Sequence, residues 1–407
     1  MERCYCKYNE GKMKDKIEFE ELYKAYELCL KNKKKKIDTY NFTNEELCMN
    51  LILLLDELNN RTYKTKPSNC YVVTESALRE IFAAQFGDRI VQHFYMMEVE
   101  DVLENILIDG CCSCRKGKGT SYALNMLKNF LIKTSDNGKK PCFFLKIDLS
   151  GYFMSVDWRI VSEKFKKLIQ NKSKGKHKEL LLYLTPVIFE NNPALDCEYK
   201  CSEQIRNLVP NRRKMDCNSN YGMAIGNLTA QAGSNLNLNN FDHYVIEELK
   251  LDKYIRYVDD IIIISDNKKQ LIDTLPLIQN KLAETHQFIN KKTKIDTAYH
   301  EVPFLGKVSH PYGYQKPSKQ VIIRTCQRAK NIQYENEKNL IAKVNSQVGT
   351  LNRYNCRKLI RNYIDLLPSD AQNIIKERIK MVNWKRVILY ILKKKHWHLR
   401  GRMIFYN

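Results

Sequence analysis

Apolar residues recur along this chain with two different spacings. In residues 87–105 and 158–170 they return every three or four positions, which predicts helices that bury one face. Residues 142–147 and 261–264 are short apolar runs that predict strands, the first with Lys146 inside it. The four isoleucines at 261–264 predict a strand covered on both faces. A helical pattern also covers residues 1–70, 180–190, 227–250, 268–285 and 315–407. Helices and strands in this order predict an α+β fold with a βαββαβ-like centre.

An acidic pair interrupts the clearest of the predicted strand regions. Residues 254–257 favour an extended conformation, Asp259 and Asp260 follow, and four isoleucines come next. Two β-favouring runs around a short polar pair predict a β-hairpin with the acids at its turn. A third carboxylate, Asp148, follows directly on the strand predicted at residues 142–147. The chain therefore presents three acids at the ends of apolar strands.

Carboxylates at such positions favour a metal site. A carboxylate is costly to bury unless it is paired or binds a metal, and adjacent carboxylates repel each other. Mg²⁺ is bound through one or two carboxylates plus substrate phosphates. Nucleotidyl transfer uses two such ions, one to activate a 3′-hydroxyl and one to neutralise a triphosphate. The ordinary alternative is an Asp-Asp turn with Asp148 as an unrelated helix cap, and the joint presence of three acids favours the metal.

The charge balance indicates a polyanionic partner. Lys and Arg total 68 against 46 Asp and Glu, a formal net charge of +22, while 43% of the 407 residues are hydrophobic. That apolar share is enough for a core, and the basic surplus favours nucleic acid or an anionic membrane. No stretch approaches the roughly 18 apolar residues of a membrane span, and the first residues do not resemble a signal peptide. We therefore expect a nucleic-acid partner, no membrane, a cytoplasmic location and reduced cysteines.

Three motifs in the same order resemble those of reverse transcriptases. Residues 256–260 (Arg-Tyr-Val-Asp-Asp) resemble the Tyr-x-Asp-Asp signature, residues 146–153 resemble the first catalytic motif, and residues 222–231 resemble the motif that supports template and incoming nucleotide. Weaker matches lie at residues 79–84, 88–93, 114–120, 290–293 and 304–307. The resemblance covers roughly residues 70–310 and implies a right-hand polymerase. It implies RNA-templated DNA synthesis with two Mg²⁺ ions, with Mn²⁺ as an alternative, and dNTP substrates.

The same resemblance implies a division of the chain. An N-terminal helical extension would span residues 1–70. The fingers would span residues 71–140 with part of 158–221, and the palm residues 141–314 with an insertion near 190–221. A basic helical thumb and tail would span residues 315–407.

Site residues are carried over where the motifs match. Asp148, Asp259 and Asp260 would be catalytic and would bind the metal, together with Leu149. Phe153 would crowd the sugar 2′-hydroxyl and so select DNA, although a core phenylalanine is the ordinary alternative. The further residues expected at the nucleotide are Arg79, Arg115, Lys118, Ile225, Gly226 and Lys292. Those expected at the nucleic acid are Tyr257, Gln231, Gly306, Arg353, Arg357, Lys393, Lys394 and Lys395.

Residues 225–231 (Ile-Gly-Asn-Leu-Thr-Ala-Gln) resemble the form found in bacterial diversity-generating retroelements and antiphage-defence reverse transcriptases. This implies either copying of a partner non-coding RNA in antiphage defence or error-prone copying of a template repeat. Ala230 replaces the usual serine of that form, and Gly87 replaces an arginine before Asp88. An RNA–DNA hybrid would be bound, and a protein partner or second reverse transcriptase is an open alternative. The rival functions are an idle RNA-binding scaffold and a template-free nucleotidyl transferase.

Overall fold

The computed structural model describes residues 15–31, 37–44, 46–73, 78–171, 176–216, 219–352, 354 and 356–381. The helices are α1 (Phe19–Leu30), α2 (Ile37–Thr43), α3 (Leu47–Asn59), α4 (Phe86–Ile106), α5 (Thr120–Ser135), α6 (Tyr152–Ser155), α7 (Trp158–Asn171), α8 (Lys178–Phe189), α9 (Glu203–Asn207), α10 (Leu228–Asn237), α11 (Asn239–His243), α12 (Lys268–Ala283), α13 (Lys319–Lys330), α14 (Glu337–Asn352), α15 (Arg357–Asp365) and α16 (Ser369–Met381). The strands are β1 (Ser68–Val73), β2 (Arg79–Ala83), β3 (Phe143–Asp148), β4 (Cys197–Tyr199), β5 (Tyr254–Tyr257), β6 (Asp260–Ser265), β7 (Lys294–Thr297), β8 (Val302–Phe304), β9 (Lys307–Ser309) and β10 (Gln315–Pro317).

These strands are arranged in three small sheets, and each sheet contains three or four strands. β1 lies between β2 and β4, and β9 lies between β8 and β10. The third sheet has the order β5-β6-β3-β7. β5 and β6 pair antiparallel, with Tyr257 opposite Asp260. The strand that ends at Asp148 is therefore hydrogen-bonded to the strand that begins at Asp260.

The described residues form two compact units. The first contains residues up to 119 together with 145–263 and 269–295, and so most of the four-stranded sheet. The second contains residues 120–144, 264–268 and those from 296 onward. The boundaries predicted at residues 70, 140 and 314 remain predictions.

The helices of the N-terminal region bury one side each. Spacings of three and four residues separate the buried positions, as expected for amphipathic helices. They are Leu22, Ala25, Tyr26 and Cys29 in α1 and Leu51, Leu54 and Leu58 in α3. The helical pattern predicted for residues 1–70 is thus confirmed at α1, α2 and α3, whereas residues 60–67 are not helical and β1 begins at Ser68.

The acidic hairpin differs in one detail from its prediction. Because Tyr257 lies opposite Asp260, the two-residue loop consists of Val258 and Asp259, and Asp260 is the first residue of β6. Val258 has a φ of 61°, a left-handed value that is strained for a β-branched residue. The isoleucines at 261–264 are at most 2% exposed, which confirms a strand covered on both faces.

The stretch predicted as an insertion or irregular loop contains a strand. β4 pairs in parallel with β1, with Ser68 opposite Cys197 and Cys70 opposite Tyr199. Cys197 and Tyr199 pack against a small buried cluster that includes Cys70. A strand of three residues is too short to show a period-two pattern, so the sequence did not reveal it.

The basic C-terminal region, predicted as helical from residue 315, begins with the strand β10 and is then largely helical as far as the structure describes it. α13 to α16 share a core of their own, which includes Leu340, Val344, Leu359 and Tyr363. No helix within the described ranges is long and apolar enough to cross a membrane.

A fully buried ion pair lies behind the acidic hairpin. Arg256 of β5 and Asp242 of α11 are both 0% exposed, and Nη2 of Arg256 donates to Asp242 Oδ2 at 2.6 Å. Nε of Arg256 also donates to Asp242 Oδ1 at 2.8 Å, and the hydroxyl of Tyr254 donates to the same oxygen at 2.6 Å. Both carboxylate oxygens are therefore satisfied without water, so the charge of Arg256 is balanced inside the core.

Replacing Asp242 should reveal how much the fold depends on this pair. Asp242→Ala leaves a buried guanidinium without its counter-charge, which we expect to lower the free energy of unfolding by about 3–5 kcal/mol. Asp252→Ala removes a carboxylate that is 76% exposed and should cost less than about 1 kcal/mol. Urea denaturation of the two variants measures the difference. Equal unfolding midpoints for the two variants would show that the fold does not depend on the ion pair between Arg256 and Asp242.

Candidate active site

The structure brings the three predicted carboxylates to neighbouring strands. Asp148 is the last residue of β3, Asp259 lies in the hairpin loop and Asp260 opens β6. β3 and β6 are adjacent in the four-stranded sheet. The negative charge of Asp148 raises the pKa of both Asp259 and Asp260. The three acids therefore share one electrostatic environment, although they are far apart in sequence.

Burial dominates the electrostatics of the acidic hairpin. Loss of solvent, followed by repulsion from Asp260, raises the pKa of Asp259 from 3.8 to about 6. Burial also raises the pKa of Asp260, against the opposing effect of Lys146, whose Nζ lies 3.8 Å from Asp260 Oδ1. Arg79 acts on Asp259 in the same direction as Lys146 acts on Asp260. The site therefore stabilises positive charge beside these acids.

Backbone hydrogen bonds hold Asp148 from the side opposite the hairpin. Its carbonyl accepts from the backbone N–H of Asn290 at 2.7 Å, and its own N–H donates to Thr293 Oγ1 at 3.4 Å. Leu149, predicted as a metal contact, is 3% exposed and forms an isolated antiparallel bridge with Ile289. The motif at residues 290–293 thus supports the first catalytic motif through the main chain of Asn290 and the hydroxyl of Thr293.

The three carboxylates can be compared with the oxygen ligands that a divalent cation requires. Among the residues that the structure describes, no three or more His, Cys, Asp or Glu side chains form a cluster arranged to hold a metal ion. Mg²⁺ takes few protein ligands and completes its shell with water and substrate oxygens, so a closed cage of three carboxylates is not required. The carboxylates of Asp148, Asp259 and Asp260 are partly exposed, and carboxylates are hard oxygen donors that suit such a cation. These residues fit Mg²⁺ or Mn²⁺, and the assignment stays a prediction.

Phe153 lies beside the motif at residues 222–231. It belongs to the short helix α6, its ring is half-buried, and it contacts Tyr152 edge to face with centroids 5.4 Å apart. Its backbone carbonyl accepts from the N–H of Met223 at 2.8 Å. The hydroxyl of Tyr152 donates to the backbone oxygen of Ser234 at 2.7 Å. The first catalytic motif and the 222–231 motif are therefore connected through the main chain of Phe153, while Tyr152 binds the helix α10 that follows.

The glycine of that motif is required by its surroundings. Gly226 has a φ of 119°, and a Cβ there would lie 2.9 Å from Cγ2 of Ile81. The preceding residue, Ile225, accepts through its carbonyl from the N–H of Phe82 at 3.1 Å. A side chain at position 226 would thus both strain the backbone and collide with β2.

A pocket lies next to Gly226. The residues that line it are Arg89, Gln92, His93, Gly226, Asn227, Leu228 and Gln231. Gln92 is 7% exposed, and within the described structure its Oε1 has no hydrogen-bond partner. Two predicted residues, Gly226 and Gln231, therefore share this pocket with polar side chains of α4. Those side chains belong to the motif at residues 88–93, but the sequence predicts no role for them. Their signal was weak because polar residues on a mostly apolar helix are common.

Comparison with known proteins decides the family. The family model described as reverse transcriptase (RNA-dependent DNA polymerase) matches residues 65–308, more than half of the chain. The chain belongs to the reverse transcriptase family. This confirms the predicted enzyme class, an RNA-directed DNA polymerase and hence a nucleotidyltransferase. Together with the antiparallel pairing of β5 with β6 and β8 with β9, it confirms the predicted α+β right-hand polymerase fold.

Solved telomerase structures resemble this reverse transcriptase at low identity. Apo telomerase from Candida tropicalis has a TM-score of 0.48 and 13% identity, covering 80% of this chain and 60% of that one. The form truncated from its C-terminal domain gives 0.45 and 13%, covering 62% and 55%. Telomerase from Candida albicans with a TWJ fragment of telomeric RNA gives 0.45 and 10%, covering 83% and 66%. The chain thus spans 55–66% of these three telomerase chains. No curated protein matches it in sequence.

Arg115 and Lys118, the two residues predicted to bind the triphosphate of the incoming nucleotide, form hydrogen bonds to other groups of the reverse transcriptase. Arg115 has a side chain only 6% exposed, pairs with Glu104 at 2.8 Å and donates to the carbonyl of Ile108 at 2.6 Å. Lys118 donates to both the carbonyl and the carboxylate of Asp109 at 2.8 Å. Both cations therefore fix the loop after α4. Their role at the triphosphate stays a prediction, and it requires these bonds to be exchanged for phosphate contacts.

The remaining predicted residues are distributed over several elements. Lys292, Gln231 and Arg357 are exposed, and Tyr257 ends β5. Gly306 has a φ of 78°, and a Cβ there would lie 2.9 Å from the hydroxyl of Tyr354. The predictions for Arg353, Lys393, Lys394 and Lys395 lie outside the described residues.

The raised pKa of Asp259 predicts a pH-dependent effect on stability. The folded protein holds this proton up to about pH 6, whereas the ordinary pKa is 3.8, so the ionised carboxylate destabilises the folded state above pH 6. In metal-free buffer, Asp259→Asn should therefore be more stable than the wild type at about pH 7.5. The gain should shrink at about pH 5, between the two pKa values.

Urea denaturation in a chelator at both pH values measures this difference, and the exposed Asp252→Asn is the matched control. A gain that is the same at both pH values would show that Asp259 titrates normally.

Proposed function

We propose that this reverse transcriptase copies an RNA template into DNA, with Asp148, Asp259 and Asp260 as the ligands of its catalytic Mg²⁺ ions. The observation that carries the proposal is the placement of Asp148 and Asp260 on the adjacent strands β3 and β6, with Asp259 in the loop directly before β6, within a chain of this family. Mg²⁺, or Mn²⁺ in its place, would neutralise the triphosphate and activate the primer hydroxyl. Leu149, next to Asp148 in the chain, is the further proposed metal contact.

The neighbouring cations favour a nucleotide at this position. Arg79 is exposed at the start of β2, and its charge partly offsets the rise in the pKa of Asp259 that burial and Asp260 cause. An exposed guanidinium close to a metal-binding carboxylate is suited to bind phosphate oxygens in two places at once. We therefore assign Arg79 to the triphosphate ahead of Arg115 and Lys118, whose side chains already hold the loop after α4.

Phe153 supports DNA as the product. Its main chain is bound to Met223, which limits how far the ring can move away from the 222–231 motif. A ring held there would collide with a 2′-hydroxyl and leave a deoxyribose undisturbed. The pocket beside Gly226 and Gln231 offers amide, imidazole and guanidinium groups, which suits contacts to a template backbone and base edges.

Primer extension tests the proposal. The wild type should extend a DNA primer on an RNA template with dNTPs and Mg²⁺. Asp259→Asn/Asp260→Asn should lose at least about a hundredfold in rate, because the metal contributes several kcal/mol to the transition state. RNA binding should persist, and Asp252→Asn should retain activity.

Three results of the same assay would contradict the proposal. RNA binding by the wild type without synthesis would favour a scaffold. Products formed without a template would favour a template-free transferase. Full activity of the double variant would remove these acids from the reaction.

For the biological role, we propose copying of a partner non-coding RNA in bacterial antiphage defence, in the cytoplasm. The support is the resemblance of residues 225–231 to that clade, together with the N-terminal helices and the extra segment near 190–221, which carries β4. Diversification by copying a template repeat is the alternative, and Ile225 is the residue of that motif associated with it.

Sequencing the RNA and DNA that co-purify with the protein distinguishes these roles. Defence predicts one abundant small RNA, DNA complementary to it, and protection of bacteria from phage that the double variant lacks. DNA complementary to a repeat, with errors concentrated at template adenines, would favour diversification instead. The absence of any enriched RNA would exclude a dedicated RNA partner.

A further inference from the structure

We propose that Ser113 is a positioning residue that holds the acidic turn in its active conformation; the inference rests on the proposed polymerase function. The turn begins with Val258, whose φ is 61°. The loop residue Asp259 does not share this positive φ, so the turn is of the kind that normally places glycine first. A valine in that position persists only where surrounding contacts determine its conformation.

Ser113 makes such a contact directly to the strained residue. Its Oγ accepts from the backbone N–H of Val258 at 3.1 Å and donates to Oδ1 of Asn235 at 3.2 Å. Asn235 donates in return from Nδ2 to the backbone oxygen of Ser113 at 2.9 Å. Ser113 is 1% exposed and Asn235 2%, so solvent has little access to replace these bonds.

Arg256 connects this contact to the buried ion pair. Its Nη1 donates to Asn235 Oδ1 at 3.2 Å, and the same nitrogen lies 3.5 Å from the carbonyl of Val258. The loop that carries Ser113 is also paired with β5. The N–H of Cys112 donates to the carbonyl of Arg256, and the N–H of Arg256 donates to the carbonyl of Gly110, each at 2.9 Å. The peptide groups on both sides of Val258 are therefore hydrogen-bonded.

This arrangement concerns catalysis because Asp259 follows Val258 directly. If the bond from Ser113 is lost, Val258 can relax toward a negative φ, which rotates the next peptide unit and redirects the carboxylate of Asp259. Substrate binding elsewhere in the site would change little. The expected defect is therefore in kcat, with KM for dNTP nearly preserved.

Four variants test the proposal in primer extension. Ser113→Ala should lower kcat about tenfold, with KM for dNTP changed less than about twofold, because one buried N–H loses its acceptor. Ser113→Thr keeps the hydroxyl and should lie closer to the wild type. Ser113→Ala/Val258→Gly should recover most of the lost kcat, because glycine adopts a positive φ without strain. Ser162→Ala is the matched control, since Ser162 is 0% exposed and its hydroxyl lacks a hydrogen-bond partner in the described structure.

Hydrogen exchange of the peptide covering residues 254–265, measured without metal, reports on the turn independently of activity. Faster exchange there in Ser113→Ala, with exchange elsewhere unchanged, supports the proposal even if the wild type proves unable to polymerise, in which case only the proposed function fails. Wild-type kcat and exchange in Ser113→Ala would overturn the proposal. So would a double variant that melts like the wild type but regains no kcat.

Discussion

The buried contact between Arg256 and Asp242 fixes the strand that leads into the acidic turn. Neither side chain reaches solvent, and the guanidinium uses both of its outer nitrogens and Nε on protein acceptors. A charge balanced in this way restricts where β5 can lie relative to α11, since any shift would separate two ions in a medium of low polarity. The position of the turn, and with it Asp259, follows from this restriction.

The carboxylates of Asp259 and Asp260 are destabilised in their ionised form by their surroundings. Burial and repulsion from neighbouring carboxylates raise the pKa of Asp259 and Asp260, while the charges of Arg79 and Lys146 oppose this rise at Asp259 and Asp260, respectively. Arg115 and Lys118, the other cations expected nearby, are bound to acids and carbonyls of α4 and of the loop that follows it. The protein thus separates cations that maintain its structure from those that lie beside the acids.

Much of this could be predicted from the sequence, because periodicity and short motifs are local. Such local patterns predict the apolar strands, the long helices and the acidic residues at the strand ends. The hydrogen bond between Ser113 and Asn235 could not be predicted, because these residues are 122 positions apart and serine is a common residue type. The same holds for Arg115, whose partners depend on how the end of α4 folds back, and for β4, which has only three residues. The one-residue offset of the hairpin loop depended on the pairing register, which composition does not specify.

The crowding of Gly226 against Ile81 has a mechanical consequence. The adjacent peptide units are hydrogen-bonded through Phe82 and Ile225, and the strand that contains Ile81 starts at Arg79, only two residues away. Under the proposed roles, with Gly226 at the template and Arg79 at the triphosphate, a rotation of the glycine peptide would reach the guanidinium through a very short stretch of backbone. A misplaced template base would then also weaken the contact to phosphate, so that a wrong nucleotide could be rejected without any contact to its mismatched edge.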